Sequence, residues 1–288
     1  MFEPTQIAWH NGRIVQLEQA APSIASHSLH LGISVFDGMM AYWNNDHYYV
    51  HRMSEHFQRL CHGSKHMGLD FSWSEDELSL GVELLLKKIP SANYYIRPIV
   101  YRPSPQINVT GSEEMPVDVA IFGVIAPRNV DQSLSCHISP VERVSSRAIP
   151  VAWKVGGTYV NSYLVRQAAK QAGFDDGLMT NREGKILEAS AANLFFLDAD
   201  TIITPSLDPD IFPGITRFTI IELAKSLGIE VIEQDVKVHE VFKFEGAFLA
   251  STLMELRPID RLEMEYWNSS KHPVFIKLLK EFREITHQ

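Results

Sequence analysis

Lys154 stands inside "VAWKVGGTYVNSYL", residues 151–164, between Trp153 and Val155, in an apolar run that breaks at two glycines and resumes at a tyrosine. Such a lysine is either a loop residue in water or an amine held where its chemistry matters, because an amine attacks a carbonyl only in its neutral form, which desolvation favours. Two further stretches could serve a bound group. In "FPGITR", residues 212–217, Pro213 and Gly214 turn the chain so that the Ile215 and Thr216 N–H groups open a helix and point at an anion. In "EASAANLF", residues 188–195, Glu188 follows a hairpin turn and precedes a row of small residues.

Other reactive residue types lead nowhere. His51 with Glu55-His56 has the spacing H-x-x-x-E-H, which is neither metalloprotease order. His27 and His30 have no nearby Cys, Asp or Glu to complete a metal site, so no metal is expected. "GISVFDG" has its glycines at the wrong offsets for a dinucleotide fingerprint, and Ser190 lacks the context of a nucleophile elbow. The 288 residues carry 26 Lys+Arg against 35 Asp+Glu, a net charge of −9 without dense runs, which gives no footprint for nucleic acid and points to a small-molecule partner. Only Cys61 and Cys136 are present, and the opening "MFEPTQIAWHNG" lacks the charged and apolar regions of a signal peptide, so a reducing cytoplasm is expected. No apolar run approaches the roughly 20 residues of a membrane helix.

The elements that must position these residues fall into two parts. "IAWHNGRIVQL" predicts a hairpin turning at Asn11-Gly12, and "VFDGMMAYWNNDHYYV" a second around Asn44-Asn45-Asp46. A helix follows with Ser54 as its cap and Phe57, Leu60, Cys61 and Met67 on one face; "SEDELSLGVELLLKKI" predicts a clearer one. The strands "NYYIRPIVY" and "VDVAIFGVI" complete a small α+β domain over residues 1–124. A linker over 125–135, centred on Pro127-Arg128-Asn129, leads to a larger, strand-rich α/β domain over 136–288 that carries Lys154. Within it the helix "SYLVRQAAKQAG" stops at Gly173, a hairpin turns at residues 181–184, "RFTIIELAKSLG" is a helix ended by Gly228, "IEVIEQDV" and "EGAFLAST" are strands, and the terminal segment is an amphipathic helix.

Read together and in order, "EHFQRL" (55–60), "KVGGTY" (154–159), "EASAANLF" and "FPGITR" resemble the fold-type IV pyridoxal-phosphate enzymes, the D-amino acid aminotransferase-like fold, and most closely its branched-chain amino acid aminotransferases. "YIRP" (95–98) and "ASTLMELRP" (250–258) belong to the same resemblance, which runs from about Trp9 to about Pro258. It implies pyridoxal 5'-phosphate as cofactor, with Lys154 carrying the internal aldimine and later moving a proton between substrate Cα and cofactor C4′. Glu188 is implied as the acidic partner that keeps the pyridine nitrogen protonated, so that the ring acts as an electron sink. Tyr159 matches the tyrosine that bonds the phenolic oxygen. Arg59, the N–H groups of Ile215 and Thr216, and Thr252 match the phosphate contacts. Tyr95 and Arg97, with Phe36 and Gly38, match the residues that receive substrate, and backbone N–H groups around Thr252 and Leu253 those that hold its α-carboxylate.

Several positions depart from the family's usual pattern: Leu31 replaces a tyrosine, Met40 an arginine, Ala192 a glutamate, and Thr158 an asparagine. They make the pocket more apolar and leave the cofactor residues alone. The function implied is a ping-pong aminotransferase acting on a hydrophobic, branched-chain L-amino acid with 2-oxoglutarate as acceptor, in a cytoplasmic homodimer or larger homo-oligomer. Three alternatives stay open: a D-amino acid transaminase, with Arg102 as a carboxylate contact; an aminodeoxychorismate lyase, against which "KVGGTY" speaks; and a binding protein that keeps the fold without catalysis.

Overall fold

The computed structural model describes residues 3–105, 109, 115–126 and 132–286; the expected linker tripeptide Pro127-Arg128-Asn129 and part of the loop after Tyr101 lie outside them. By compactness they form two units, Met1–Arg128 with Trp153–Thr158, and Asn129–Ala152 with Tyr159–Thr286. The sequence reading puts Lys154 in the second part of the chain. Its six-residue stretch packs with the first instead, because its backbone is hydrogen-bonded there.

The first unit contains β1 (Ile7–His10), β2 (Arg13–Gln16), α1 (His27–Leu31), β3 (Ser34–Phe36), β4 (Met39–Asn44), β5 (His47–Val50), α2 (Met53–His66), α3 (Glu75–Leu86), β6 (Tyr94–Tyr101) and β7 (Asp118–Ile125). Its sheet runs β2-β1-β7-β6-β4-β5, with β3 also pairing β6. Both expected hairpins form, and Asn11 and Asn45 adopt the positive φ their turns require. Helix α3 starts where a capping box predicts, Ser74 and Glu77 each satisfying the other's backbone N–H. Helix α2 begins at Met53, one residue before the expected cap Ser54, with Arg52 at the N-cap position and no side chain capping it. Phe57 and Leu60 of α2 and Leu78, Val82 and Leu85 of α3 bury against Val35, Met39, Ile96 and Ile121 of the sheet. Val35 is bridged to Val155, Phe36 N–H donates to the Lys154 carbonyl at 3.3 Å, and Gly157 N–H to the Gly32 carbonyl at 2.9 Å. These bonds draw the lysine's segment onto β3.

The second unit contains β8 (Leu134–Ile138), α4 (Tyr159–Gln171), β9 (Asp176–Thr180), β10 (Lys185–Ala189), β11 (Asn193–Asp198), β12 (Thr201–Thr204), α5 (Ile215–Ser226), β13 (Glu230–Glu233), β14 (Val236–Lys237), β15 (Gly246–Ser251), β16 (Glu255–Leu262), β17 (Glu265–Tyr266) and α6 (Pro273–Ile285). Its sheet runs β13-β12-β11-β15-β16-β8-β9-β10-β14, and a further pairing of β10 with β11, at Glu188 opposite Asn193, closes six of these strands into a ring. "LFFL", residues 194–197, is apolar throughout because both faces of β11 are covered: Leu194 and Phe196 join one core with Ala247 and Leu249, while Phe195 and Leu197 join another with Phe248 and residues of α5 and α6. "IEVIEQDV" is two short strands, β13 and β14, because β13 pairs parallel with β12 whereas β14 crosses to β10.

Gly32 has φ +68, and a Cβ there would lie 2.7 Å from Gly157 Cα. Gly68 has φ +63 with nothing within 4 Å. Gly68→Ala should therefore cost only the backbone penalty, about 1–2 kcal/mol. Gly32→Ala adds the collision with the lysine's segment and should cost at least about 1 kcal/mol more. Urea midpoints of the two variants check the difference; equal losses would mean the two segments do not meet as described.

Candidate active site

In the first unit, β3 and the residues after it gather the reactive groups. Lys154 has φ 53, a left-handed conformation unfavourable for a residue with a Cβ, and its Nζ lies 5.3 Å from the centroid of the Phe36 ring. Arg97, on β6, has its Cζ 4.4 Å over the same ring and 5.0 Å from the Tyr95 ring, with Nη2 donating to Tyr95 Oη at 3.5 Å. A ring's negative face attracts both cationic groups, so Phe36 is the shared floor for the amine and the guanidinium. Gly38 is needed beside it, since any Cβ would overlap the Tyr95 hydroxyl. Met40 is buried in an apolar cluster with Tyr42, Tyr95 and Ala126. Leu31, at the end of α1, is partly exposed.

Arg59 is not an exposed helix arginine. Its Nε and Nη2 donate to the two oxygens of Asp37 at 2.7 and 2.8 Å, a bidentate pair in which the Asp37 side chain is fully buried. His56, one turn earlier on α2, approaches the same Asp37 Oδ1 through Nδ1 at 2.8 Å. Burial by itself raises the Asp37 carboxyl, but the Arg59 guanidinium and His56 outweigh it and hold the group well below the usual carboxylate range. Burial lowers His56, with Arg59 and Lys154 adding to the effect against the pull of Asp37. Arg102, considered above as a carboxylate contact, instead donates to two backbone carbonyls, Gly68 at 2.7 Å and Met115 at 3.2 Å.

In the second unit, Glu188 sits at the seam where β10 meets β11 and is buried. Its Oε1 pairs with Arg143 Nη2 at 3.1 Å; its Oε2 accepts from Asn193 Nδ2 at 3.1 Å and from the Phe212 N–H at 3.3 Å. Asn193 also donates to the Phe212 carbonyl at 2.9 Å, so the strand seam and the turn that opens α5 are one polar cluster. Helix α5 begins at Ile215 with Gly214 as its cap and no side chain capping it, which leaves the N–H groups of its first turn to other acceptors. Arg217, the last residue of "FPGITR", is structural: fully buried, it donates to Glu233 at 2.7 Å and to the Pro205 carbonyl at 3.1 Å. Tyr159 is the first residue of α4, while Thr252 and Leu253 lie in the turn joining β15 to β16.

The sequence residues thus form two groups: Phe36, Gly38, Arg59, Tyr95, Arg97 and Lys154 in the first unit, and Tyr159, Glu188, Ile215, Thr216, Thr252 and Leu253 in the second. Asp37, His56 and Arg143 were missed. His56 and Arg59 three apart on one helix, with a lone acid in the apolar run "SVFDGMM", carried a faint signal for the first two. Arg143 carried none, standing far from Glu188 along the chain.

The sequence pattern of the family described as amino-transferase class IV matches residues 34–262. The branched-chain-amino-acid aminotransferase of Escherichia coli (strain K12) is 32% identical over 256 residues, spanning 87% of this chain and 83% of that protein. Among solved structures, the branched-chain aminotransferase from Thermoproteus uzoniensis with norvaline superposes with a TM-score of 0.93 at 31% identity, covering 99% of this chain and 95% of that one. The branched-chain amino acid aminotransferase from Thermobaculum terrenum in its PLP-form gives a TM-score of 0.92 at 28% identity, over 99% and 95% of the two chains. The fold is therefore that of the fold-type IV enzymes. The residues present in each unit fit pyridoxal 5'-phosphate: the first offers an amine and an arginine, and the second a buried carboxylate, an uncapped helix start and Ser190 Oγ, which is buried two residues beyond Glu188 without a hydrogen-bond partner among the described residues.

Buried histidines give the first unit an acid-labile point. Burial, then the positive charges of Arg52 and His56, lower His51 to about 4, while an unfolded histidine titrates near 6.5. Between those values the unfolded chain takes up a proton that the folded one does not, so stability falls as pH drops, by about 3 kcal/mol in total. His56 shifts in the same direction. Melting temperatures should decline from pH 6.5 to pH 4, and His51→Asn, whose amide oxygen can accept from Tyr49 in place of Nδ1, should flatten the decline; an unchanged slope would sink the assignment.

Proposed function

The chain belongs to the class IV aminotransferases and is a pyridoxal 5'-phosphate-dependent transaminase; from that premise we propose that it exchanges the amino group of a hydrophobic, branched-chain L-amino acid with 2-oxoglutarate. The observation that carries this reading is Phe36, whose ring has the Lys154 amine at 5.3 Å and the Arg97 guanidinium at 4.4 Å. A single aromatic floor with an amine and a carboxylate receptor suits a small amino acid. The apolar cluster of Met40, Tyr42, Tyr95 and Ala126 supports an apolar side chain.

Arg59, the N–H groups of Ile215 and Thr216, and Thr252 hold the cofactor's phosphate in this reading, Tyr159 its phenolic oxygen, and Glu188 its ring nitrogen. When bound, the cofactor supplies an electron sink for the bonds at substrate Cα. With the cofactor bound, Lys154 would be the amine that faces its aldehyde and the base that takes the proton from substrate Cα. Arg143 and Asn193 keep the Glu188 carboxylate oriented. Arg97 and Tyr95 receive the distal carboxylate of 2-oxoglutarate, and backbone N–H groups around Thr252 and Leu253 the α-carboxylate of either substrate. The reading extends to a cytoplasmic homodimer: both cysteines are free thiols, and Ile24, Leu29 and Leu31 expose apolar surface that a second copy would cover.

An amino-donor panel in both enantiomers, with 2-oxoglutarate and pyruvate as acceptors, tests the proposal. L-Leucine, L-isoleucine or L-valine should bleach the visible band of the bound cofactor, and 2-oxoglutarate should restore it. Conversion by D-enantiomers alone, or pyruvate release from aminodeoxychorismate without an acceptor, would replace this reading with its neighbours on the fold. Lys154→Ala should abolish borohydride trapping of cofactor on the chain. Arg97→Met should raise KM for 2-oxoglutarate roughly 10- to 100-fold while leaving KM for L-leucine within about twofold, as expected for loss of one charge-assisted contact.

A further inference from the structure

Asp37 is a heavily engaged carboxylate of the first unit. Its side chain has no exposure, and four donors meet it: Gly38 N–H at 2.6 Å, His56 Nδ1 at 2.8 Å and Arg59 Nη2 at 2.8 Å on Oδ1, and Arg59 Nε at 2.7 Å on Oδ2. An ionised carboxylate only accepts, so His56 Nδ1 carries a proton and donates it. His56 Nδ1 and Arg59 Nη2, 3.4 Å apart, are then two donors sharing one oxygen rather than partners of each other. Burial keeps His56 neutral, which leaves one positive and one negative charge in the cluster.

We propose that Asp37 is a positioning residue: with His56 it locks the Arg59 guanidinium in the orientation that receives the phosphate monoester of the cofactor. The inference rests on the reading of Arg59 as a phosphate ligand and adds what holds it. A guanidinium is planar and has two edges suited to paired acceptors. Asp37 takes the Nε–Nη2 edge, so any second anion must use the Nη1–Nη2 edge, whose direction the first pair fixes. Without that pair the arginine tip swings on a long, flexible arm.

Phe36, Asp37 and Gly38 index this edge to the amine. Phe36 N–H donates to the Lys154 carbonyl at 3.3 Å, Asp37 N–H to the Pro98 carbonyl at 3.0 Å, and Gly38 packs under Tyr95. The end of β3 and the two residues after it thereby link the lysine, the arginine and the substrate tyrosine. A buried ion pair is seldom more stable than an apolar replacement, so stability alone is a poor reason for this one. Charge alone argues the opposite way, because the Asp37 carboxylate repels a phosphate. Positioning and charge therefore predict opposite signs for its removal.

The full-length apoenzyme is titrated with pyridoxal 5'-phosphate and, separately, with pyridoxal, which has the aldehyde and ring but no phosphate. Asp37→Asn should raise Kd for the phosphorylated form about tenfold or more and leave Kd for pyridoxal within about twofold. Asp37→Glu should recover part of the loss by restoring the charge. In an Arg59→Lys background, Asp37→Asn should add less than about twofold, since the two residues act as one. Equal weakening of both ligands, an unchanged or tighter phosphate form, or a full effect persisting beside Arg59→Lys would each overturn the proposal. Arg59→Lys that leaves the preference for the phosphorylated form intact would refute the assignment of Arg59 itself, and the proposal with it. If Asp37→Asn does not fold, His56→Phe carries the same comparison, with a loss of about threefold or more confined to the phosphorylated form.

Discussion

The lysine's backbone is held before its side chain can do anything. Lys154 adopts a left-handed conformation, which costs about 1 kcal/mol or more for a residue with a Cβ, and hydrogen bonds from Phe36 on one side and to Gly32 through Gly157 on the other offset that cost. The stretch Trp153–Thr158 behaves as an added edge to β3, although more than a hundred residues separate it from that strand. Such a contact is long-range in sequence, so the amine is positioned by tertiary structure and not by its own sequence neighbours.

Both units place a buried carboxylate where strands end, and both saturate it with donors. Asp37 follows β3 and meets an arginine, a histidine and a backbone N–H. Glu188 closes the ring of strands and meets an arginine, an asparagine and a backbone N–H. Removing one partner from such a pair typically costs about 3–5 kcal/mol, because the other charge is left uncompensated. The parallel has different ends: one acid orients a cation, while the other is itself the group held in orientation.

Much of this was legible in the chain, for reasons that differ by element. The Asn11-Gly12 hairpin and the capping box of α3 are local devices, complete within a few residues, and local reading found them. Strand β3 is three residues long and β16 is interrupted by Arg257, Pro258 and Asp260, so neither presents a clean alternation. The reactive types Lys154, Glu188, Arg59 and "FPGITR" could be picked out and tied to a family. What fixes them could not: Asp37 and Arg59 are joined through the path of β3, and Arg143 reaches Glu188 only because β9 and β10 bring the sheet round. The unit in which Lys154 packs was hidden for the same reason, since the bonds that decide it run to residues more than a hundred positions earlier.

The close approach of Gly38 to the Tyr95 hydroxyl also constrains how this protein can have diverged. A side chain at 38 and a tyrosine at 95 in its present orientation exclude each other sterically, so the two positions are coupled. A descendant could acquire bulk at 38 only after its ancestor had shortened residue 95, and losing the tyrosine first would surrender the partner that Arg97 leans on. The order of substitutions along any lineage towards a different substrate is thereby limited by a single missing methyl group.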